Sequence, residues 1–399
     1  MDLETTDVLI SGGGVAGLAA ACAFGSAGFE VIVVDPAAPV TDGAADNADL
    51  RTTAFLQPSR KVLEKAGLWD RLAPHASALQ VMQIIDAGGP EPVARVQKAF
   101  DAQDISDAPF GWNLPNWLLR REFLARIDDL ATVEFRSGVG TKSVLTRQSE
   151  ARVTLTDGRR VRARLMIAAD GRNSRVREAV GIKVSTTRYG QKALAFAVTH
   201  PVPHSNVSTE IHRTGGPFTL VPLPDRENSP CSAVVWMERG PEAVRLANLP
   251  KDAFEEEMNL RSTGLLGPLK LASRRTVWPI VSQIAERMWA ERTALIAEAA
   301  HVVPPIGAQG LNMSLGDVRV LLELAQENPA ELGSRRMLEN YHNRRHPEVR
   351  LRVTGIDALN RASIAGAQPL RDARAQGLKA LYGLAPVRRS LMRLGLGMR

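Results

Sequence analysis

Short apolar runs separated by glycines open the chain. Residues 7–11 are apolar, residues 12–17 are rich in glycine, residues 18–26 are small and suited to a helix, and residues 29–35 are again β-branched and apolar. Two short β-branched runs that flank a helical run predict a strand, a turn, a helix and a second strand. The N-terminus is therefore expected to form a βαβ unit.

Different patterns follow. Residues 151–165 alternate around Asp157 and Gly158, a strong turn signal, and predict a hairpin that leads into an apolar strand. Between residues 181 and 278, runs broken by Pro and Gly predict a mixed, largely antiparallel sheet. Beyond Arg319 the sequence is almost wholly helical. Breaks in those helices are expected at Pro329, Pro347, Pro369 and Pro386.

Composition bounds the class of protein. A chain of 399 residues with 44% apolar content is too long for one small core and predicts two domains. Cys22 and Cys231 fall in different predicted domains, so no disulfide and a reducing compartment are expected. The N-terminus lacks the regions of a secretory signal, and no apolar run reaches the roughly 20 residues of a membrane span. We expect a cytoplasmic protein that at most contacts a membrane surface.

Charge is distributed unevenly. The net charge is +7, but residues 335–399 carry +10 and the rest −3. A solvated helical surface is the simplest explanation. Because residues 378–399 mix leucine and methionine with arginine, an anionic membrane surface or a protein complex is the alternative partner. Nucleic acid is not expected, since the basic residues lack interleaved aromatics. The sequence indicates no particular oligomeric state.

A glycine motif occupies the first predicted turn. In Gly12-x-Gly14-x-x-Gly17, the glycines allow a tight turn, close approach of a pyrophosphate and close helix packing. Asp35 ends the second predicted strand, 18 residues beyond Gly17, where an acid can bind a ribose. The motif predicts a dinucleotide site without distinguishing NAD from FAD.

A second polar segment follows the apolar strand after the hairpin. Gly171 permits a turn from strand to helix, Ser174 can cap that helix, and Asp170 can accept a hydrogen bond from a ligand hydroxyl. Arg177 completes the pattern Asp-Gly-x-x-Ser-x-x-Arg.

A third segment combines rigid and bending residues. Pro304 and Pro305 fix φ, and Gly307 and Gly310 bend the chain, so that backbone can lie against a flat ligand. A helix is expected to begin near Leu311, and its free N–H groups would face negative charge there. The residues at this predicted helix start are Gly310, Leu311 and Asn312.

The sequence contains no candidate residues for a metal site, acyl transfer or phosphoryl transfer. His342 and His346 share a helix face, but Arg344 and Arg345 lie between them and oppose a divalent cation, so no metal is expected. No Gly-x-Ser-x-Gly elbow and no P-loop occur. The chemistry must therefore come from a cofactor.

The three segments resemble the FAD motifs of the aromatic flavoprotein monooxygenases of the p-hydroxybenzoate hydroxylase type, whose third motif usually reads GDAAHxxPPxxGxGxN. The resemblance implies an α/β fold: a Rossmann-like FAD-binding domain of the glutathione-reductase type, a mixed-sheet substrate domain and a helical C-terminal tail. The family aspartate of the Gly-Asp pair binds the ribityl chain. Here that pair is Ala297 and Glu298, so we expect FAD to bind with a displaced ribityl contact.

Further positions match the family. Arg51 corresponds to an arginine on the mobile flavin loop that reaches the pyrophosphate or the isoalloxazine. Asn116 and Arg121 correspond to a polar residue and a pyrophosphate-binding arginine at a helix start. Each of the two arginines also fits an exposed surface charge.

The resemblance also implies the reaction. NAD(P)H or another donor reduces FAD, O2 adds at C4a, and the hydroperoxide passes its terminal oxygen to an activated aromatic ring. In this interpretation Pro305 and Gly307 lie at the flavin and substrate edge. His301 matches the family histidine, which we interpret as packing behind the site rather than as a base.

Residues 338–397 are similar to the tail of the ubiquinone-biosynthesis hydroxylases, which implies a polyprenylated phenol as substrate. Two alternatives stay open: a hydroxylase of a small soluble aromatic acid, for which Arg213 is the candidate carboxylate ligand, and a flavin-lacking scaffold subunit of a quinone-synthesising complex. We predict FAD-binding segments at 1–75, 101–180 and 279–334, substrate-domain segments at 76–100 and 181–278, and a basic helical region at 335–399.

Overall fold

The computed structural model describes residues 3–91 and 93–397, and its first sheet is built around parallel strands that are buried on both faces. Val8, Leu9 and Ile10 of the first strand and Val33 and Val34 of the second are fully buried. Such strands are typical of a parallel sheet covered by helices. With labels in chain order, this sheet contains β1 (Leu3–Ser11), β2 (Val31–Asp35), β8 (Val133–Ser137), β9 (Thr141–Thr146), β10 (Ala151–Leu155), β11 (Arg160–Ala168), β18 (Trp289–Ala290) and β19 (Thr293–Leu295).

The second large sheet is mostly antiparallel and has its own aromatic core. The rings of Phe218 and Trp236 lie 5.5 Å apart, and those of Phe196 and Phe254 lie 5.1 Å apart, both edge to face. This sheet contains β5 (Val81–Asp86), β6 (Val96–Asp101), β12 (Val184–Thr199), β13 (Val207–His212), β14 (Pro217–Arg226), β15 (Ser229–Arg239), β16 (Lys270–Leu271), β17 (Thr276–Ala285) and β20 (His301–Val302). A small third sheet contains β3 (Thr52–Leu56), β4 (Ser77–Leu79) and β7 (Gly111–Pro115).

Helices pack against the first two sheets and form the C-terminal region. They are α1 (Val15–Ser26), α2 (Gln57–Lys65), α3 (Trp69–Leu72), α4 (Asn116–Asp128), α5 (Arg175–Ala179), α6 (Gly240–Asn248), α7 (Lys251–Arg261), α8 (Ala297–Ala300), α9 (Gln309–Glu327), α10 (Arg335–Ile364), α11 (Gln368–Gly383) and α12 (Ala385–Leu396).

Several sequence expectations are confirmed. The βαβ unit is present as β1, α1 and β2, and the predicted hairpin is the antiparallel pair β10 and β11. Cys22 and Cys231 are free and buried. Burial raises the pKa of Cys22 to about 12, so this thiol is not a reactive thiolate.

Two helix boundaries differ from expectation. The predicted break at Pro347 is wrong, because this proline lies inside α10. Tyr341, Arg345 and Val349 are buried at four-residue spacing on one face of α10, and this packing outweighs the hydrogen bond that a proline removes. Helix α9 begins at Gln309, two residues before the expected Leu311.

Among the residues that the structure describes, no helix combines the length and the apolar character needed to cross a bilayer.

Two glycines with the same backbone conformation differ in the space around them. Gly333 and Gly181 both have φ +71, but a Cβ on Gly333 would lie 2.1 Å from the Arg164 carbonyl oxygen, whereas a Cβ on Gly181 would meet nothing within 4 Å. We expect Gly181→Ala to cost about 1–2 kcal/mol of unfolding free energy, from the left-handed backbone alone. Gly333→Ala should cost roughly 1–3 kcal/mol more because of the clash. Urea unfolding of both variants checks this, and equal losses would contradict it.

Candidate functional site

The carboxyl ends of four parallel strands meet at one edge of the first sheet. Ser11 of β1 lies opposite Val34 of β2 and Ala168 of β11, and Ala168 lies opposite Leu295 of β19. The ends of these strands and the segments that follow them therefore lie side by side. They carry the Gly12–Gly17 turn, Asp35, Asp170 and Glu298 respectively. Ligands of such sheets bind at this edge.

The three glycines of the first turn have different surroundings. A Cβ on Gly12, which has φ +114, would lie 2.3 Å from the Ala169 carbonyl oxygen, and a Cβ on Gly17 would lie 1.9 Å from that of Gly12. A Cβ on Gly14 would meet nothing within 4 Å. Gly12 and Gly17 are therefore required by the protein's own packing, whereas Gly14 leaves open space at the start of α1.

Asp35 is fixed by backbone donors at the end of β2. Its Oδ2 accepts a hydrogen bond from the Gly13 N–H at 2.6 Å, and its Oδ1 accepts one from the Ala37 N–H at 2.8 Å. Both carboxylate oxygens keep a further lone pair for a ribose hydroxyl. Asp35 thus also helps to shape the glycine turn.

The second motif has two buried polar atoms without a partner in the described chain, Asp170 Oδ1 and Arg177 Nε. Asp170 Oδ2 accepts from the Val176 N–H at 3.1 Å, but Oδ1 is buried and has no hydrogen-bond partner in the described chain. Gly171 has φ +82, and Ser174 accepts from the Arg177 N–H at 3.0 Å, so the predicted cap is confirmed. An unpaired buried carboxylate oxygen indicates a ligand hydroxyl or amide.

Arg177 connects the second motif to the third. It is 3% exposed, and its Nη1 donates to the Ala299 carbonyl oxygen at 3.0 Å. This contact holds the turn after β11 against the segment after β19. Its place is therefore inside the protein, behind the sheet edge.

Two alanines in the third motif have left-handed backbones. Ala297 has φ +54 and Ala308 has φ +55, at two of the three positions where the usual motif has glycine; the third is Gly310. Left-handed backbone costs an alanine roughly 1–2 kcal/mol. Glu298, between Ala297 and the buried Ala299, is exposed at the sheet edge. The departure at residue 297 thus keeps the conformation that a glycine would have adopted.

A buried ion cluster holds that strained segment. Asp317 in α9 is fully buried; its Oδ2 is hydrogen-bonded to His301 Nε2 at 2.6 Å and accepts from the Ala297 N–H at 3.2 Å. Its Oδ1 accepts from Arg345 Nε at 2.9 Å. Burial alone would raise the pKa of Asp317, but the charges of His301 and Arg345 hold it below its ordinary value. His301 is 2% exposed, which supports a positioning role.

The start of α9 is connected to β3 through one side chain. Asn312 Oδ1 accepts from the Leu56 N–H at 2.9 Å, and its Nδ2 donates to the Ala54 carbonyl oxygen at 2.7 Å. Gly307, with φ +61, precedes α9, and Gly310 is its second residue; both are exposed, and Pro305 and Leu311 are half-buried. A Cβ on Gly310 would meet nothing within 4 Å, so the backbone there is accessible.

Arg51 and Asn116 meet at Asp49. Arg51 binds Asp49 through Nε at 2.8 Å and Nη2 at 2.7 Å, and Asn116 Nδ2 donates to Asp49 at 3.1 Å. These hydrogen bonds, with the negative charges of Asp49 and Glu298, raise the pKa of Arg51. Arg120 also lies 3.4 Å from Asp49. The predicted Arg121 instead contacts Glu122 at 2.8 Å.

The sequence analysis missed Arg274, which binds the loop before Arg51. Its guanidinium donates to the carbonyl oxygens of Ala45, at 3.1 Å, and Ala48. The ring of Trp278, in β17, lies 5.5 Å from the Arg51 guanidinium. The loop that carries Arg51 thus contacts β17 and the segment just before it. No local motif marks Arg274, because its partners are backbone atoms more than two hundred residues away.

These features together fit FAD. Gly14, Asp170 and Glu298 lie in segments that leave the same sheet edge, and they offer open backbone, an unpaired Oδ1 and an exposed carboxylate respectively. The backbone at Gly310 is also open, at the start of α9. Two accessible helix starts suit anionic groups, and two carboxylates suit ribityl or ribose hydroxyls.

No group of metal ligands was found in residues 3–91 and 93–397. His342 and His346 have structural partners: the Met288 N–H donates to His342 Nδ1 at 3.3 Å, and His346 Nε2 lies 3.1 Å from the Ala285 carbonyl oxygen.

Known proteins share this architecture and sequence. A family model described as FAD binding domain matches residues 5–354. The chain is 32% identical to ubiquinone hydroxylase UbiL of Rhodospirillum rubrum, covering 99% of this chain and 90% of that one. It is 27% identical to the mitochondrial ubiquinone biosynthesis monooxygenase COQ6 of Homo sapiens, covering 97% and 91%. The crystal structure of p-nitrophenol 4-monooxygenase PnpA from Pseudomonas putida DLL-E4 has a TM-score of 0.79 at 18% identity and full coverage of both chains.

Gly14 offers a direct test of the cofactor site. Gly14→Ala should fold normally, because its Cβ meets no protein atom, but it should weaken FAD binding by about tenfold or more by filling the space beside the pyrophosphate. Titration of the apoprotein with FAD measures the affinity. Gly355→Ala is the control, since it also meets nothing within 4 Å but lies in α10. Equal affinity in both variants would contradict this placement.

Asp317→Asn tests the buried cluster. The change removes the fully buried counter-charge of Arg345 and leaves it only the pair with the partly exposed Glu348, so it should cost about 3–5 kcal/mol of unfolding free energy, measured with urea. Asp357→Asn, which alters a more exposed pair with Arg361, should cost about 0–1 kcal/mol.

The Asp317 cluster should also make stability depend on pH. Because the folded pKa lies below the unfolded one, the stabilisation is complete above about pH 4 and is lost as pH falls further. Asp317→Asn should lack this acid-dependent part. A variant that loses stability in acid as steeply as the unmodified protein would contradict the role of Asp317.

Proposed function

The chain belongs to the FAD binding domain family and is an FAD-dependent hydroxylase, and from this premise we propose that it hydroxylates the aromatic ring of a polyprenylated phenol in ubiquinone biosynthesis. The observation that carries the proposal is similarity over nearly whole chains to proteins named as ubiquinone hydroxylases, including a 3-demethoxyubiquinol 3-hydroxylase of Escherichia coli at 25% identity over 100% of both chains. The family resemblance and fold class inferred from the three motifs are confirmed.

The flavin-lacking alternative is not supported. It depended on the departure from the Gly-Asp pair, yet Ala297 keeps a glycine-like φ of +54 and Glu298 keeps an exposed carboxylate. The match to the FAD family extends across this segment.

Particular residues would hold FAD. The turn at Gly14 and the start of α1 would bind the pyrophosphate, and Asp35 would bind the adenosine ribose. Asp170 Oδ1 and Glu298 would accept from flavin hydroxyls. The N–H groups at Gly310, Leu311 and Asn312 would face the pyrimidine ring and stabilise negative charge there.

FAD would supply the redox chemistry that activates O2 for transfer to the ring. The protein's part is to orient the flavin and exclude water. Asn312 would help to orient the flavin, because it joins α9 to β3. Asp317 and His301 would fix the backbone behind the flavin. Pro305 and Gly307 would border the substrate.

NAD(P)H is the proposed electron donor. The sequence carries one glycine motif in a βαβ context, and the structure uses it at β1 and α1, the site assigned to FAD. A nicotinamide donor would therefore bind transiently at the surface of the flavin site rather than in a second dinucleotide domain.

Lipid analysis of a deletion strain tests this function. We expect ubiquinone to fall and under-hydroxylated prenylphenols to accumulate, because the missing hydroxylation blocks the pathway. The unmodified gene and the Gly355→Ala variant should restore ubiquinone, and Gly14→Ala should restore less. Normal ubiquinone in the deletion strain would refute the proposal. NADPH oxidation by the purified protein that is stimulated by a small phenolic acid would instead favour a catabolic hydroxylase.

A further inference from the structure

Polar side chains attach α11 to the second sheet. Arg374 Nε lies 2.8 Å from Asp86, which is 1% exposed, and Arg95 joins Asp86 and Asp372 at 2.5 Å each. Ala375 is the buried residue of α11. The contact between this helix and the protein is therefore largely ionic.

Tyr382 and Arg388 attach the turn between α11 and α12 in a similar way. The Tyr382 ring packs edge to face on Phe100 of β6 at 5.4 Å, and Lys98 and Arg388 lie 4.7 and 4.8 Å from its centre. Arg388 also lies 3.2 Å from Asp104. In these contacts the aromatic ring of Tyr382 and the charged group of Arg388 face the protein.

The leucines of the same two helices point outward. Leu381, Leu384, Val387, Leu391 and Leu394, which we name the apolar stripe, are 38–60% exposed and recur every three or four residues. No described residue of α12 is buried. A helix on a water-exposed surface normally shows the opposite arrangement, with leucines inward and arginines outward. The stripe thus requires an apolar partner.

Positive charge surrounds the apolar stripe. Residues 373–397 contain five Lys or Arg and no Asp or Glu, and Lys379, Arg389 and Arg393 are exposed. Leucines flanked by exposed basic residues are typical of helices that lie in the interface of an anionic bilayer. A second copy of the same surface would bring like charges together, which opposes self-association.

We propose that α11 and α12 form a docking surface for an anionic lipid bilayer, with the apolar stripe inserted and Lys379, Arg389 and Arg393 contacting lipid head groups. Ionic attachment through Arg374 and Arg388 keeps the helices on the protein while their leucines enter the lipid.

This surface ends beside Gly307 and Gln309, in the third motif, which we name the flavin segment. Gln309 Nε2 donates to the Gly395 carbonyl oxygen at 3.0 Å and to that of Gly307 at 2.8 Å. Leu396 lines a cavity of about 60 Å³ together with Leu56 and Asn312. If the proposed substrate is correct, docking brings the flavin segment close to the bilayer in which a polyprenylated phenol dissolves.

Vesicle co-sedimentation of the FAD-loaded protein tests the docking. Binding is expected to vesicles of phosphatidylcholine with phosphatidylglycerol and not to vesicles of phosphatidylcholine alone. Leu391→Glu with Leu394→Glu should weaken binding at least about tenfold by removing apolar insertion. Arg389→Gln with Arg393→Gln should weaken it roughly fivefold per residue. The matched control is Leu145→Glu on β9, where an equally exposed leucine, at 53%, lies outside the stripe.

Flavin absorbance and circular dichroism establish whether each variant is folded. If the leucine variant is not folded, vesicle binding by the arginine variant tests the proposal. Failure of the unmodified protein to bind anionic vesicles, or binding unchanged in the variants, would overturn the proposal. So would sedimentation velocity showing a dimer that the leucine variant dissolves. The vesicle assay measures binding and not turnover, so its result on docking is independent of the deletion-strain result on the proposed function.

Discussion

Parallel pairing of β1 with β2 and β11, and of β11 with β19, is the constraint on which the site depends. Parallel strands present their carboxyl ends at a common edge, so segments separated by more than a hundred residues begin within a few strand spacings of one another. The glycine turn, Asp170 and Glu298 converge for this reason. A one-residue slip of β11 would turn its buried face toward solvent, so core packing also fixes the site.

Strain in the third segment is balanced by the cluster beneath it. Ala297 and Ala308 adopt a conformation that costs alanine energy, and such residues persist only where surrounding structure determines their backbone. Asp317 supplies that determination at Ala297 by accepting its N–H and binding His301 and Arg345. The buried carboxylate thus stabilises one backbone conformation at the proposed flavin edge, at the expense of its own desolvation.

Local patterns predicted the parts of the site that depend on local conformation. Gly17 and Ser174 perform tasks set by their immediate neighbours, and Gly12 has a φ of +114 that favours glycine, so their motifs were sufficient. Arg274 could not be predicted, because the two carbonyl groups that it binds are brought near only by tertiary folding. The Asp317–Arg345 pair is likewise non-local, 28 residues apart. At Pro347 a local rule failed, since buried neighbours on α10 outweighed one missing hydrogen bond.

The described contacts form a continuous path from the C-terminal helix to the flavin segment. Gln309 binds Gly395 of α12 through Nε2, and its Oε1 accepts from Arg352 at 2.7 Å. Arg352 and Arg345 share Glu348, and Arg345 binds Asp317. A displacement of α12 must therefore break the hydrogen bond to Gln309 or move Gln309 and the adjoining Gly307. Because Gln309 is the first residue of α9, either response acts on the helix start that we propose faces the flavin.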